Sequence, residues 1–215
     1  MTSVAIVLYD GFTALDVVGP YQMLAMTPGV DVTLVAERTG EVLDDLRSLT
    51  LHADAALDDV PHPDVVLVPG GPGTEQVLSG PVPEWVARVH RTTTWTTSVC
   101  SGSLLLAAAG VLEGVPAACH YIHLDTLRLF GVEARPDRVV EVPEARVITS
   151  AGVSAGIDMA LRLSELLSDR VTAQAVQLWT EYDPRPPFDS GSADKASPRV
   201  RELAAAYEAA ARRSG

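Results

Sequence analysis

The sequence has few cysteines, few basic residues and no long apolar run. Two cysteines in 215 residues, Cys100 and Cys119, are too few for a disulfide framework, which favours a reducing compartment. Lys and Arg number 16 against 28 Asp and Glu, and the net charge of −12 repels nucleic-acid phosphates and anionic lipid. No stretch approaches the roughly 20 apolar residues that a membrane span requires. We therefore expect neither a nucleic-acid nor a membrane partner.

Composition and length instead predict a soluble folded domain. Apolar residues make up 47% and charged residues 20% of the chain, which is too apolar for a disordered protein. A chain of this length buries roughly 70% of the surface that its unfolded form exposes, so it needs no disulfides. The apolar run at residues 4–9 ends at Asp10 and has no basic residue before it, so it is not a signal peptide. We expect a cytoplasmic protein.

Short β-branched segments alternate with longer helical patterns in the first half of the chain. They predict strands at residues 3–9, 31–36, 64–68 and 96–99, and helices at residues 15–26, 83–92 and 103–109. Continuous apolar strands separated by helices are typical of a parallel sheet with helices on both faces. The pattern therefore predicts an α/β domain with a mostly parallel central sheet.

The second half predicts further elements and then a separate arm. The patterns indicate a hairpin of residues 138–142 with 146–149, a helix at 154–168 and a helix at 197–213. Composition changes at Asp183, after which a Pro-, Gly- and Ser-rich segment cannot be helix or central strand. We therefore divide the chain into an α/β domain, 1–183, and a connector with a C-terminal helix, 184–215. That helix is expected to pack on the domain or on a dimer partner.

The strongest sign of chemistry is Ser98-Val99-Cys100-Ser101-Gly102-Ser103, where a predicted strand ends and a helix begins. Small residues stand two before and two after Cys100, which is the spacing of a nucleophile elbow with Cys in place of Ser. Such a turn lifts the side chain above the carboxyl edge of the sheet, where ligands of open α/β sheets bind. The helix N-terminus beneath it is expected to stabilise a thiolate. The alternative is that Cys100 is a small buried core residue.

A second turn at the same edge is rich in glycine. Pro69-Gly70-Gly71-Pro72-Gly73 follows the strand at 64–68 and has neither the lysine nor the spacing of a phosphate-binding loop. We expect the N–H groups of Gly70 and Gly71 to form an oxyanion hole beside Cys100. A loop that needs positive φ explains the glycines equally well, and the two explanations are compatible.

Asp16 is an acid between the apolar residues Leu15 and Val17, near the start of the first long helix. It stands three residues after Thr13, so it fits a capping role, and this explanation stays open beside a functional one. A carboxyl group in apolar surroundings can also stay protonated near neutral pH, which suits proton transfer.

Two histidines lie three residues apart, His120 and His123. They are close enough on a helix to share a metal, but no third ligand is nearby, so we expect no metal site. His120 is expected either to line the substrate pocket or to have a structural role. Cys119, which precedes it, is expected to pack inside.

Together these segments resemble the DJ-1/PfpI superfamily, whose members are flavodoxin-like three-layer sandwiches. The resemblance spans about residues 3–182 and is greatest to the isocyanide hydratases, which residues 177–188 and the helical tail also resemble. The other segments that carry it are Val7-Leu8-Tyr9-Asp10-Gly11-Phe12, Leu15-Asp16-Val17-Val18-Gly19-Pro20, Val68-Pro69-Gly70-Gly71, the segment around Cys100, Cys119-His120-Tyr121, and residues 150–158.

The resemblance implies a role for each matched residue. Cys100 corresponds to the family's nucleophile and Asp16 to the acid beside it, while Ser101 stands where isocyanide hydratases usually carry Thr. The family's proteases have His directly after the nucleophile, so Ser101 argues against peptidase activity. The resemblance further implies an enzyme without cofactor or metal that acts on a small molecule, and a homodimer.

The expected reaction is hydration of an isocyanide to an N-substituted formamide through a Cys100 thioimidate. Asp16, kept neutral by its apolar neighbours, would relay protons, and Ser101 would hold Asp16 or the attacking water by a hydrogen bond. Two alternatives remain open. One is glyoxalase-type or other aldehyde chemistry at the same residues, and the other is a non-catalytic domain that senses redox state or a ligand.

Overall fold

The computed structural model describes residues 1–214 and places eleven strands in them. They are β1 (Thr2–Val7), β2 (Val30–Ala36), β3 (Gly40–Leu43), β4 (Thr50–Ala53), β5 (Ala55–Ala56), β6 (Val65–Val68), β7 (Trp95–Val99), β8 (Ala117–Ala118), β9 (Ala134–Arg135), β10 (Val139–Val142) and β11 (Val147–Ser150). The α-helices are α1 (Ala14–Ala25), α2 (Pro81–Val89), α3 (Gly102–Ala108), α4 (Leu124–Leu129), α5 (Ala155–Leu167), α6 (Arg170–Trp179) and α7 (Pro198–Ser214).

Seven strands form the central sheet, in the order β10-β11-β7-β6-β1-β2-β5. All neighbours are parallel except β10 and β11, which form the predicted antiparallel hairpin. Helix α1 packs against α5, and α2 packs against α3, so that helices cover the two faces of the sheet. The predicted flavodoxin-like three-layer α/β fold is confirmed.

The core lies at the centre of the sheet because its strands are apolar on both faces. All four residues of β6, Val65–Val68, are completely buried, as are Ile6 and Val7 on the adjacent β1. Leu105 and Leu106 of α3 and Leu163 of α5 are also fully buried. Strands covered on both sides in this way read as continuous apolar runs, which is why the sequence locates them well.

The direction in which successive strands are added to the sheet reverses between β1 and β6. The chain leaves β1 to form β2 on one side and later returns to form β6 on the other side. The carboxyl ends of β1, β6 and β7 therefore border one crevice, where α/β sheets bind ligands. Asp16 lies on the helix after β1, Gly70 in the turn after β6 and Cys100 directly after β7. The topology thus gathers three residues that are far apart in sequence.

The structure contains elements that the sequence patterns did not predict. Strands β3 and β4 form a small antiparallel hairpin, and α6 follows α5 after a short break. Only Ala173 and Val176 of α6 are buried, because its larger apolar residues, Val171, Leu178 and Trp179, are exposed, so the sequence pattern does not point to one core-facing side. Its start was nevertheless recognisable, because Asp169 is an N-cap that accepts hydrogen bonds from the N–H groups of Val171 and Thr172.

The C-terminal helix α7 contacts the 3₁₀ segment Pro72–Val77, which follows the glycine-rich turn. A cavity of about 180 Å³ lies between Tyr121 and the tail, lined by residues such as Gly191 and Val200. The arm thus lies against the domain close to the crevice. In residues 1–214, the structure has no helix that is both long and apolar enough to cross a membrane.

Candidate active site

Cys100 lies on a strained turn between β7 and α3. Its φ is +60°, a left-handed conformation that residues other than Gly and Asn rarely adopt, and its N–H donates to the carbonyls of Ser150 and Ala151 at 3.1 Å. The small residue at 102 is required here, because a Cβ on Gly102 would lie 2.2 Å from the carbonyl oxygen of Val68. The backbone therefore has the strand-to-helix geometry that the elbow pattern predicts.

Asp16 lies in the same crevice with its carboxyl group completely buried. Its Oδ2 accepts a hydrogen bond from the N–H of Gly70 at 2.8 Å. Helix α1 begins after Thr13, and the Asp16 carboxylate does not cap it, so the capping explanation is wrong. Oδ1 is buried without a partner of hydrogen-bond geometry among the described residues, yet the Cys100 thiol is close enough to lower the pKa of Asp16.

Burial gives Asp16 an unusual protonation state. It raises the pKa of this carboxyl to about 7, although the hydrogen bonds from Gly70 and Cys100 act in the opposite direction. The expectation of a carboxyl that can hold a proton near neutral pH therefore agrees with its surroundings. A group with a pKa close to the operating pH is suited to both accepting and donating a proton.

The protonation of Cys100 differs from the sequence-based expectation of a thiolate. Burial, followed by the negative charge of Asp16, raises the pKa of the Cys100 thiol well above its usual value. The helix N-terminus does not reverse this, because the residue is only 6% exposed and desolvation penalises the charged form. The two groups titrate as a pair: as the pH rises through about 7 the carboxyl loses its proton first, while the thiol stays protonated and directs its proton at the carboxylate.

Two backbone N–H groups interact with the Cys100 sulfur, those of Ser101 and Val153, and both lower the pKa of the thiol. Val153 has a φ of +41°, which is a strained conformation for a β-branched residue. It belongs to the loop between β11 and α5, which is far from Cys100 in the sequence. Sequence reasoning missed this contact, because no local pattern shows that the loop after β11 reaches the elbow.

The oxyanion hole expected from Gly70 and Gly71 is not formed by their N–H groups. Gly70 donates to Asp16, and Gly71 donates to Ser101 Oγ at 2.9 Å, so both donors are already used inside the protein. Gly70 is required instead because it has no side chain. A Cβ at this position would lie 2.4 Å from Ser101 N and 2.9 Å from Cys100 Cβ, so only glycine lets the turn approach the elbow.

Ser101 does not hold Asp16 by a hydrogen bond. Its hydroxyl instead accepts from Gly71 N and makes a 2.9 Å hydrogen bond with Thr74 Oγ1. Thr74 in turn bonds to the hydroxyl of Tyr9 at 3.0 Å. Neither Tyr9 nor Thr74 was singled out from the sequence, although Tyr9 lies in one of the segments that carry the family resemblance.

The loop after β11 forms one side of the crevice, and His120 lies against this loop. Its ring packs directly against Gly152, where a Cβ would be 2.3 Å from His120 Cδ2, and lies 4.7 Å from the ring of Tyr121. The ring of His123 is 5.9 Å away. Among the side chains that the structure describes, no three of His, Cys, Asp or Glu are grouped as metal ligands. Cys119 packs inside as expected, and burial raises its pKa to about 12.

Comparison with known proteins finds similar sequences and similar structures. The model of the DJ-1/PfpI family matches residues 2–166. The isonitrile hydratase of Pseudomonas putida is 39% identical over 203 residues, covering 92% of this chain and 86% of that protein. The crystal structure of a ThiJ/PfpI family protein from Pseudomonas syringae superposes with a TM-score of 0.90 at 35% identity, over 98% of this chain and 89% of that one.

A more distant structure supports the fold alone. Drosophila melanogaster DJ-1beta has a TM-score of 0.75 at 21% identity, covering 84% of this chain and 97% of its own. The family match covers most of the chain and includes Asp16, Gly70, Cys100 and Val153. The chain therefore belongs to the DJ-1/PfpI family.

Proposed function

We propose that this protein hydrates an isocyanide to the corresponding N-substituted formamide. The observation that carries the proposal is the pairing of Cys100, on its strained turn, with a buried carboxyl group whose pKa is about 7. The 39% identity to an isonitrile hydratase supports this choice among the reactions open to such a pair. An isocyanide is uncharged and slim, which suits a sulfur that is only 6% exposed.

The first step forms a thioimidate. As the Cys100 sulfur attacks the terminal isocyanide carbon, the thiol proton passes to Asp16, and a carbon–sulfur bond forms. Asp16 then donates that proton to the same carbon, which becomes the C–H of the intermediate. The net change adds the thiol across the isocyanide carbon, and Asp16 returns to its ionised form ready to act as a base.

The second step hydrolyses the intermediate. A water molecule adds its oxygen to the carbon while Asp16 takes one of its protons and passes it to nitrogen. The carbon–sulfur bond then breaks, the carbonyl of the formamide forms, and the hydroxyl proton returns to the Cys100–Asp16 pair. The N–H groups of Ser101 and Val153 stabilise the departing sulfur anion, because both already face it in the resting protein.

The experiment that tests the proposal is a turnover assay with benzyl isocyanide. We expect the wild-type protein to release N-benzylformamide catalytically, and Asp16→Asn to lose at least about a hundredfold in kcat, as is usual when a general acid–base is removed. Absence of formamide with the folded wild-type protein would refute the proposal. A parallel assay with methylglyoxal separates it from aldehyde chemistry, which would instead convert that substrate.

We also propose that the protein is a homodimer. Large apolar side chains remain exposed on α6 and the connector, with exposures of 74% for Val171, 78% for Leu178, 63% for Trp179 and 77% for Phe188. Exposed apolar groups of this size are typical of an interface. Light scattering is expected to give the mass of two chains, and Leu178→Glu with Trp179→Glu should give one. A wild-type monomer would contradict this.

The two cysteines support a reducing, cytoplasmic location within the same proposal. Both are free thiols, and the proposed chemistry needs the Cys100 sulfur in its reduced form. Fractionation of the cells that make the protein is expected to recover it with cytoplasmic markers, and recovery elsewhere would contradict this assignment.

A further inference from the structure

Three buried hydroxyl groups connect the end of β1 to the residue after Cys100. Tyr9 lies 3.0 Å from Thr74 Oγ1, and Thr74 Oγ1 lies 2.9 Å from Ser101 Oγ, measured between oxygen atoms. The three residues are 5%, 2% and 2% exposed, so bulk water does not compete for these bonds. They come from three separate parts of the chain, and together we call them the hydroxyl chain.

Each hydroxyl group has one proton to donate, and this fixes which group donates and which accepts in every hydrogen bond of the hydroxyl chain. A carbonyl oxygen only accepts, so the single proton of Tyr9 is donated to Pro69 O, at 2.8 Å. Thr74 must then donate to Tyr9, and Ser101 must donate to Thr74. A second acceptor for the Ser101 proton is the carbonyl oxygen of Gly71, at the longer distance of 3.4 Å. A hydrogen bond to it also directs the proton toward the glycine-rich turn.

Ser101 is consequently an acceptor toward anything else in the site. Its proton is donated to Thr74 Oγ1, and one of its two lone pairs accepts the N–H of Gly71. One lone pair remains to accept a further hydrogen bond. The burial of Tyr9 supports a constant direction, because desolvation raises the pKa of its phenol well above the usual value. Tyr9 therefore stays protonated across the physiological range, and the hydroxyl chain does not reverse.

We propose that Tyr9 and Thr74 are positioning residues, which fix Ser101 as the hydrogen-bond acceptor that orients the water in the second step of the reaction. This inference rests on the proposed function. A water that donates one O–H to Ser101 Oγ has a lone pair left for the thioimidate carbon, while Asp16 takes its other proton. A Ser101 hydroxyl free to rotate would instead donate to that lone pair and block the attack.

The hydroxyl chain runs beside the glycine-rich turn, which close packing on the elbow holds in place. Tyr9 binds Pro69 O, Ser101 binds Gly71 N, and between them Gly70 presents its N–H to Asp16. The turn is packed so closely on the elbow that a Cβ at Gly70 would lie 2.5 Å from Ser101 Oγ. This packing keeps the turn, and with it the Gly70 N–H at Asp16, in place when one hydroxyl of the chain is removed, so the first step is spared.

The test separates the two chemical steps. Rapid mixing of each variant with benzyl isocyanide, followed by intact-mass analysis, measures formation of the thioimidate, and release of N-benzylformamide measures its hydrolysis. We expect Thr74→Val and Tyr9→Phe to slow hydrolysis about tenfold, the effect of losing one oriented hydrogen bond, so that the adduct accumulates. Formation should stay close to the wild-type rate, and Thr74→Ser, which keeps the hydroxyl, should restore hydrolysis.

Each outcome decides the question. If Thr74→Val hydrolyses the adduct at the wild-type rate, if both steps slow together, or if Thr74→Ser is no better than Thr74→Val, the positioning role is refuted while the proposed function stands. If the wild-type protein makes no formamide, the proposed function fails and this inference fails with it. Thermal melting verifies that each variant is folded, and Tyr9→Phe decides alone if Thr74→Val does not fold.

Discussion

Asp16→Asn is expected to stabilise the protein, and to do so more at about pH 8 than at about pH 5. In the folded protein burial raises the pKa of this carboxyl from 3.8 to about 7. Between these two values the unfolded chain has lost the proton that the folded chain keeps, so the stability of the wild-type protein falls as pH rises from about 4 to about 7. Asn cannot ionise, and the variant avoids this loss.

The size of the effect follows from the pKa. From pH 5 to a folded pKa of about 7 is roughly two units, and each unit corresponds to about 1.4 kcal/mol, so the advantage of Asp16→Asn grows by about 3 kcal/mol over this interval. For a chain of this length, 1 kcal/mol shifts Tm by about 2–4 °C, which gives a change of roughly 6–12 °C. The side-chain oxygen of Asn can still accept from the N–H of Gly70.

Differential scanning calorimetry of the wild type and Asp16→Asn at the two pH values measures this change. Asp31→Asn, at an exposed position on β2, is the matched control for loss of a surface carboxylate. The reasoning is refuted if the difference in Tm between the wild type and Asp16→Asn is the same at both pH values or becomes smaller at the higher one.

Two further predictions follow from the packing and charges of the site. Gly70→Ala should lower stability by about 1–3 kcal/mol, because its Cβ would meet the elbow backbone at 2.4 Å, whereas Gly191→Ala meets nothing within 4 Å and should be neutral. Equal denaturation midpoints for the two variants would contradict this packing. Alkylation of Cys100 by iodoacetamide, followed by peptide mass, should begin at lower pH in Asp16→Asn, because the Asp16 charge raises the Cys100 pKa. An unchanged pH profile would show that the two groups do not interact.

The elbow was predictable because its cause is local. Small residues around Cys100 and a strand that runs into a helix are visible in a short stretch of sequence, and the φ of +60° agrees with them. The buried strands were equally visible, because an apolar run covered on both faces has no polar interruptions. Local patterns therefore located both the sheet and the sulfur.

The rest of the site depends on contacts between distant segments, which no local pattern contains. The N–H groups of Gly70 and Gly71 were expected to face a ligand, but Asp16 and Ser101 take them, and the sequence does not show which acceptors lie nearby. The same holds for Val153 at the sulfur. The thiolate expected from the helix N-terminus was also wrong, because burial depends on everything that packs around Cys100, and desolvation outweighs the helix terminus.

The central claim is that Cys100 forms a covalent bond to the isocyanide carbon. Intact-mass spectrometry after rapid mixing with benzyl isocyanide tests it directly, with Cys119→Ala as the control for the other buried thiol. The account predicts a transient adduct, heavier by the mass of one isocyanide, and formamide for the wild type and Cys119→Ala, and neither for Cys100→Ala. Formamide from Cys100→Ala at the wild-type rate would contradict it.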